Sequence, residues 1–201
     1  MDNWKNILDE DILKTNINFV AVFVMNYECL KEFVIERIRD FYSEHFYMDG
    51  DRIVCEESST YKEKVRVLDK NLENASLKWF INAGAITQED YDTYQNIRRR
   101  RNDITHELLK NLNVGFCEED AQLFEDMLRI YNKLDKWWIN EIEIPTSADD
   151  ISEDYDGDGV CGGQTLMLSI INEIVFGNAG DKYKELLNEL MKRDMSEFYR
   201  R

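Results

Sequence analysis

A chain of 201 residues with 43% hydrophobic and 12% aromatic content can bury the core of one ordinary domain, which excludes a disordered chain. One proline, Pro145, and nine glycines leave long stretches free of helix breakers and favour an all-α fold. A formal net charge of −16 excludes a protein that coats nucleic acid with its whole surface, because phosphate binding needs positive charge, and the one dense basic run is Arg98, Arg99, Arg100 and Arg101.

Residues 9–13 suit a short leading helix. From near Asn16, the residues Phe19, Phe23, Leu30, Val34, Ile38 and Phe41 recur at helical steps, predicting a long helix that stops around Met48-Asp49-Gly50. Residues 50–58, rich in Asp, Glu and Ser, read as a loop. A third helix is expected over 60–83, with Val65, Leu68, Leu72 and Leu77 inward and Gly84 as its C-terminal cap. Thr87-Gln88-Glu89-Asp90 opens a fourth, running to about Leu112 on a stripe of Tyr94, Ile97, Ile104, Leu108 and Leu112. A fifth spans roughly 118–142, where Leu123, Met127, Ile130, Leu134 and Trp137 form a stripe widened by Phe124, Leu128, Tyr131 and Trp138. After Pro145 comes a loop without basic residues, followed by two further helices near 164–176 and 181–198. The expected architecture is an all-α helical bundle over residues 1–144, an acidic loop over 145–163 and a C-terminal helical pair over 164–201.

Four scattered cysteines, Cys29, Cys55, Cys117 and Cys161, form no C-x-x-C pair, and two histidines give no zinc-ligand spacing. They read as buried thiols in a reducing cytosol. The opening Met1-Asp2-Asn3-Trp4 has no basic leader, and the apolar run from Phe19 to Met25 is too short for a bilayer, so a soluble cytoplasmic protein is expected.

The stretch Arg101-Asn102-Asp103-Ile104-Thr105-His106 carries the chemistry. Asn102 and His106, four apart, share a helix face, while Arg101 lies about 140° from His106 with a side chain long enough to swing toward the same rim. Arg101 also falls in the apolar stripe between Ile97 and Ile104, where a charge must be paired or must meet a ligand. RNA carries its own nucleophile, the 2′-hydroxyl, beside the phosphate it attacks. An imidazole can move the protons, and a guanidinium can hold the phosphate and neutralise its developing charge. Asn102 is suited to fixing the imidazole or the phosphate. No metal or cofactor is needed for this chemistry, and none is expected.

This arrangement resembles the R-x4-6-H signature of the HEPN superfamily, with polar Asn102 directly after the arginine, over roughly residues 15–140. The resemblance implies a metal-independent endoribonuclease of the toxin or phage-defence kind. It further implies a homodimer whose active site forms where two subunits meet, Arg101 and His106 as the catalytic pair, Asn102 in support, and an antitoxin or other regulatory protein as partner. HEPN toxins controlled by nucleotidyltransferase antitoxins carry a tyrosine two residues after the histidine; Leu108 stands there in this chain. The competing readings are an ordinary helix with solvated or structurally paired Arg101 and His106, and a non-catalytic module that binds a protein or a nucleotide.

Arg98, Arg99 and Arg100 are candidate RNA contacts, though three neighbours on a helix point three ways. Glu28 is a candidate supporting residue, able to pair with Arg101 or orient His106. Asp154, Asp156 and Asp158 resemble the opening of a calcium-binding loop, but Thr165 replaces its bidentate glutamate and Gly162-Gly163 its entry into a helix, which favours an acidic loop. His45 reads as structural. Trp79, Trp137 and Trp138 are of a type that stacks on bases, but their helical spacing reads as core or interface.

Overall fold

The computed structural model describes residues 4–50, 52–147 and 155–177. Two compact units emerge, one through Cys161 and one from Gly162. In the first, a single turn α1 (Lys5–Leu8) leads into α2 (Glu10–Phe41), a helix about 48 Å long at 1.5 Å per residue. Asp9 starts it: the backbone there is extended, and the side chain accepts hydrogen bonds from the amides of Asp11 and Ile12, both 3.1 Å. Of the stripe read from the sequence, Phe23, Leu30, Val34 and Ile38 are fully buried, whereas Phe41 at the helix end is exposed.

Helix α2 ends at Phe41, short of Met48, and a hairpin follows where a loop is expected. Strand β1 (Phe46–Asp49) pairs antiparallel with β2 (Arg52–Cys55) in the register Phe46 to Cys55 and Asp49 to Arg52. Gly50, at φ +62°, makes the turn. The cause is legible afterwards: Phe-Tyr-Met and Ile-Val-Cys, aromatic and β-branched, flank a Gly-Asp step at 50–51 that favours a tight hairpin.

The third expected helix is divided. Helix α3 (Ser59–Lys64), capped by Ser58, passes into a 3-10 turn (Arg66–Leu68), and α4 (Leu72–Asn82) starts afresh. Asn71 caps α4 by accepting from the Asn74 amide at 3.0 Å, and Asp69 accepts from the Asn71 amide at 2.9 Å. Two competing side-chain acceptors in three residues redirect the backbone from a continuous helix. Gly84, at φ +78°, closes α4 as expected, with the Ala85 amide reaching back to the Phe80 carbonyl at 2.9 Å.

Helix α5 (Gln88–His106) opens with a capping box between Thr87 and Asp90. It does not run on to Leu112. Glu107 leaves the helical region at φ −119°, ψ 39°, and α6 (Leu108–Val114) begins separately. Asn111 stabilises the break by donating to the carbonyls of Asp103 and Glu107 at 3.1 and 3.0 Å. The far end of α6 is tied to α1, where Asn6 donates to the carbonyls of Asn113 and Val114 at 3.0 and 2.9 Å. The redirection takes Leu108 out of the core stripe and leaves Leu109 81% exposed, while Leu112 stays buried.

Helix α7 (Glu118–Trp138) runs into a π turn (Ile139–Glu143) and a final turn α8 (Ile144–Thr146). Helix α2 packs against α4, α5 and α7, and α5 against α4 and α7, so these four form the bundle. Edge-to-face contacts join Trp79, Phe80, Trp137 and Trp138 with ring centroids 5.3–6.2 Å apart, a packing role for the tryptophans. Beyond α8, the described part of the acidic loop folds back on α7: Asn140 donates to the Gly157 carbonyl at 3.0 Å and accepts from the Tyr155 hydroxyl at 2.7 Å. In the second unit α9 (Gly163–Val175) matches the first helix expected there; the second, over 181–198, lies outside the described residues. Among the described residues the fold is all-α apart from the hairpin. No helix among the described residues is long and apolar enough to cross a membrane.

The start of α5 is held to α7 by charge. Asp90, buried, accepts from Arg129 at 2.8 Å and Lys133 at 2.6 Å, as well as from the Thr87 amide at 2.9 Å. Burial alone would push this carboxyl up; the Lys133 ammonium, the Thr87 amide and the Arg129 guanidinium outweigh it and hold the group far below the usual carboxylate range. A carboxyl whose folded value is depressed contributes stability above its unfolded value, and that contribution fades as pH falls through the folded one. Asp90→Asn is therefore expected to lower unfolding free energy by about 2 kcal/mol at neutral pH. In urea titrations the gap from wild type should narrow progressively below pH ~4.

Candidate functional site

Burial of Tyr94, Ile97 and Ile104 sets the rotation of α5, and that rotation distributes the basic run. At 100° per residue Arg101 falls within the buried stripe, between Tyr94 and Ile97, and His106 nearly opposite to it. The four adjacent guanidiniums consequently meet four different surroundings.

Arg98 turns toward α4. Its Nε lies 3.5 Å from Glu73 Oε2, and its Nη1 donates to Asn74 Oδ1 at 3.2 Å. Arg99 is exposed and, among the described residues, donates to Asn96 Oδ1 on its own helix at 3.3 Å. Arg100 grips the start of α7 with both edges of its fork. Nε and Nη2 donate to the two Asp120 carboxylate oxygens at 2.5 and 3.1 Å, and Nη1 donates to Asn111 Oδ1 at 2.9 Å. Its guanidinium also sits over the Phe116 ring at 5.6 Å. Asp120 in turn accepts from the Cys117 amide at 3.1 Å; burial would raise this carboxyl, but Arg100 and that amide hold it below its usual range.

Arg101 reaches α2. Its Nη2 donates to Glu28 Oε1, its Nη1 donates to Asn102 Oδ1 at 3.1 Å, and its guanidinium lies 5.4 Å over the ring of Tyr27. Glu28 also has Lys31 at 3.5 Å. Arg101 Nε is buried without a hydrogen-bond partner, so only the outer, Nη edge of the fork is presented to solvent. His106, the last residue of α5, is exposed, and no hydrogen bond or ion pair joins it to Arg101, Asn102 or Glu28. Arg101, Asn102 and Glu28 thus come together, Asn102 shares the face of His106, and His106 stands at the open end where α5 breaks.

Two residues of this neighbourhood, Glu73 and Tyr27, escape a reading of the sequence. Glu73, only 6% exposed, accepts hydrogen bonds at Oε1 from the hydroxyls of Tyr27 and Tyr94, at 2.6 and 2.7 Å. In the first turn of a helix a glutamate looks like a solvated dipole partner. The signal available was Tyr94 on the buried stripe, since a buried hydroxyl needs an acceptor.

Among the described residues no group of three or more His, Cys, Asp or Glu is arranged to hold a metal ion. Asp154 lies outside them; Asp156 accepts from the Asp158 amide at 3.0 Å within its own turn, and the Asp158 carbonyl accepts from Lys136. None of Cys29, Cys117 and Cys161 forms a disulfide, and with Cys117 and Cys161 exposed and Cys29 half-buried, the buried thiols expected from the sequence are not found at these positions.

The four arginines separate by thermal or urea melts. Arg100→Ala strands the buried Asp120 carboxylate and is expected to cost about 3 kcal/mol, whereas Arg99→Ala should stay within about 0.5 kcal/mol of wild type. Compared with known proteins, the chain matches no family model, no curated protein and no solved structure.

Proposed function

We propose that the chain is a metal-independent endoribonuclease of the HEPN type, with Arg101 and His106 as catalytic pair and Asn102 and Glu28 in support. The observation that carries this reading is the guanidinium of Arg101, held by Glu28, Asn102 and the Tyr27 ring, whose Nη edge meets a carboxylate more exposed than itself, one that an incoming phosphate can displace. Further along the same helix stands the exposed imidazole of His106, with no hydrogen bond or ion pair to any of the described residues.

In this reaction the His106 imidazole accepts the proton of a 2′-hydroxyl as the oxygen attacks the adjacent phosphorus. Arg101 neutralises the charge gathering on the non-bridging oxygens; the bond to the 5′-oxygen breaks and a 2′,3′-cyclic phosphate remains. A second copy of the chain, in a homodimer, brings its own motif to the same cleft and supplies the acid that protonates the leaving 5′-oxygen. Of the basic run, Arg99 is the residue disposed to meet RNA outside the reacting phosphate. Arg98 and Arg100, paired inward, support the scaffold. The setting is toxin–antitoxin control or phage defence, with a regulatory protein as further partner.

One observation favours a different reading. Leu8, Leu109 and Val114 are strongly exposed, and Trp4, Ile7, Leu109, Lys110 and Asn113 line a cleft of about 410 Å³ between α1 and α6. A non-catalytic interaction module would use such a surface. It predicts no RNA turnover at all.

Cleavage of a mixed RNA substrate, with end analysis for cyclic phosphate, separates the two. His106→Ala and Arg101→Lys are each expected to lower the rate at least ~100-fold with the helical signal and melting cooperativity retained. Full activity in either variant removes the mechanism.

A further inference from the structure

The polar network behind Arg101 is larger than its ion pair with Glu28. Tyr27 is buried on α2, immediately before Glu28, and faces two groups at once: its ring carries the Arg101 guanidinium at 5.4 Å, and its hydroxyl donates to Glu73 Oε1 at 2.6 Å. Tyr94 donates to the same oxygen at 2.7 Å, and Arg98 approaches the other at 3.5 Å. A carboxylate buried at this depth costs free energy that a well-packed apolar side chain at the same place would not. Phenylalanine at 27 and 94 with leucine at 73 would fill the space without polar groups. The network therefore needs a reason beyond packing.

We infer that Tyr27 is a positioning residue for the Arg101 guanidinium, and that Glu73 acts on Arg101 through the Tyr27 hydroxyl. This rests on the reading of Arg101 as the phosphate-binding group. A cation over an aromatic face is held by the negative charge of the ring's π system. A phenol that donates to a carboxylate takes on part of that negative charge, so the face presented to Arg101 is stronger than that of a free tyrosine or a phenylalanine. Burial first, and Glu73 second, push the Tyr27 hydroxyl well above the ordinary tyrosine range, which keeps it a donor. The effect on Arg101 is geometric. With Nε sunk beside the ring and unpartnered, the guanidinium can offer a phosphate only its Nη1 and Nη2 edge, the edge where Glu28 and Asn102 already stand. Freed from the ring, the side chain regains rotamers, and the cost of ordering them against the charge that develops on the phosphate falls on the chemical step.

The full chain with arginine side chains labelled in 15N tests this. Tyr27→Phe keeps the ring and removes the hydroxyl, leaving Glu73 with Tyr94 and Arg98; Tyr27→Leu removes the ring as well. The Arg101 Nε–H signal, identified by its disappearance in Arg101→Lys, is expected to exchange slowly with water in wild type. It should exchange at least tenfold faster in Tyr27→Phe and be lost in Tyr27→Leu. On a short single-site RNA, Tyr27→Phe should lower kcat about tenfold with KM within twofold, and this penalty should fall below twofold in an Arg101→Lys background. A role confined to folding would move Tm and cost the same factor in both backgrounds. An unchanged Arg101 Nε–H in Tyr27→Phe overturns the inference, as does an equal penalty in the two backgrounds. If wild type cleaves no RNA, the proposed function fails separately, and the Nε–H exchange decides the positioning role alone.

Discussion

Helix α5 buries Tyr94, Ile97 and Ile104 in the apolar core, and its orientation around that anchor is fixed by an ion pair to each neighbouring helix of the bundle. Asp90 receives Arg129 and Lys133 from α7. Arg98 reaches Glu73 on α4, Arg100 reaches Asp120 at the start of α7, and Arg101 reaches Glu28 on α2. In each of the first three links the acid is nearly buried and the base is the more exposed partner, which spares the longer, better-solvated side chain the larger part of the desolvation cost. The exception is Glu28, more exposed than the arginine it meets. That inversion marks the one link whose acid can be displaced by an incoming anion without leaving a buried carboxylate behind.

Four adjacent arginines on a strongly acidic protein suggest a patch, yet helical geometry makes a patch impossible. Successive side chains diverge by 100°, so neighbours on the chain cannot share a direction. Arg98, Arg100 and Arg101 each find a carboxylate on a different element, and Arg99 alone is left to solvent. The basic run is thereby converted from a surface field into a set of struts. What positive charge remains to a ligand is local: the outer edge of Arg101 and the exposed Arg99.

The break after His106 matters to the same question. Had α5 continued to Leu112, the imidazole would lie in the middle of a helix with another turn beyond it. The turn at Glu107, pinned by Asn111, ends the helix at His106 and sends α6 off toward α1. Leu108 and Leu109 leave the core direction and stand exposed beside the histidine. An imidazole at an open end and a guanidinium held back against Tyr27 are a pairing that substrate, or a second subunit, would have to complete.

Much of the fold is legible in the residues themselves. Apolar spacing locates α2, α5 and α7 and most of their buried positions, and Thr87-x-x-Asp90 and Gly84 mark the start of α5 and the stop of α4. These are properties of neighbours three or four positions apart, and the physics that enforces them is equally local. Apolar spacing alone merges α3 with α4 and α5 with α6, because the side-chain acceptors of Asp69 and Asn71 and the side-chain amide donor of Asn111 compete with a continuous helix without disturbing the apolar period. It singled out Arg101, Asn102, His106 and Glu28, but not Glu73 or Tyr27. Only the tertiary structure decided which arginine meets which acid, since Glu28 stands 73 positions from Arg101 and Asp120 stands 20 from Arg100. A charged residue has the same local signature whether it faces water or a carboxylate from a distant helix, so its role is settled only when the helices pack.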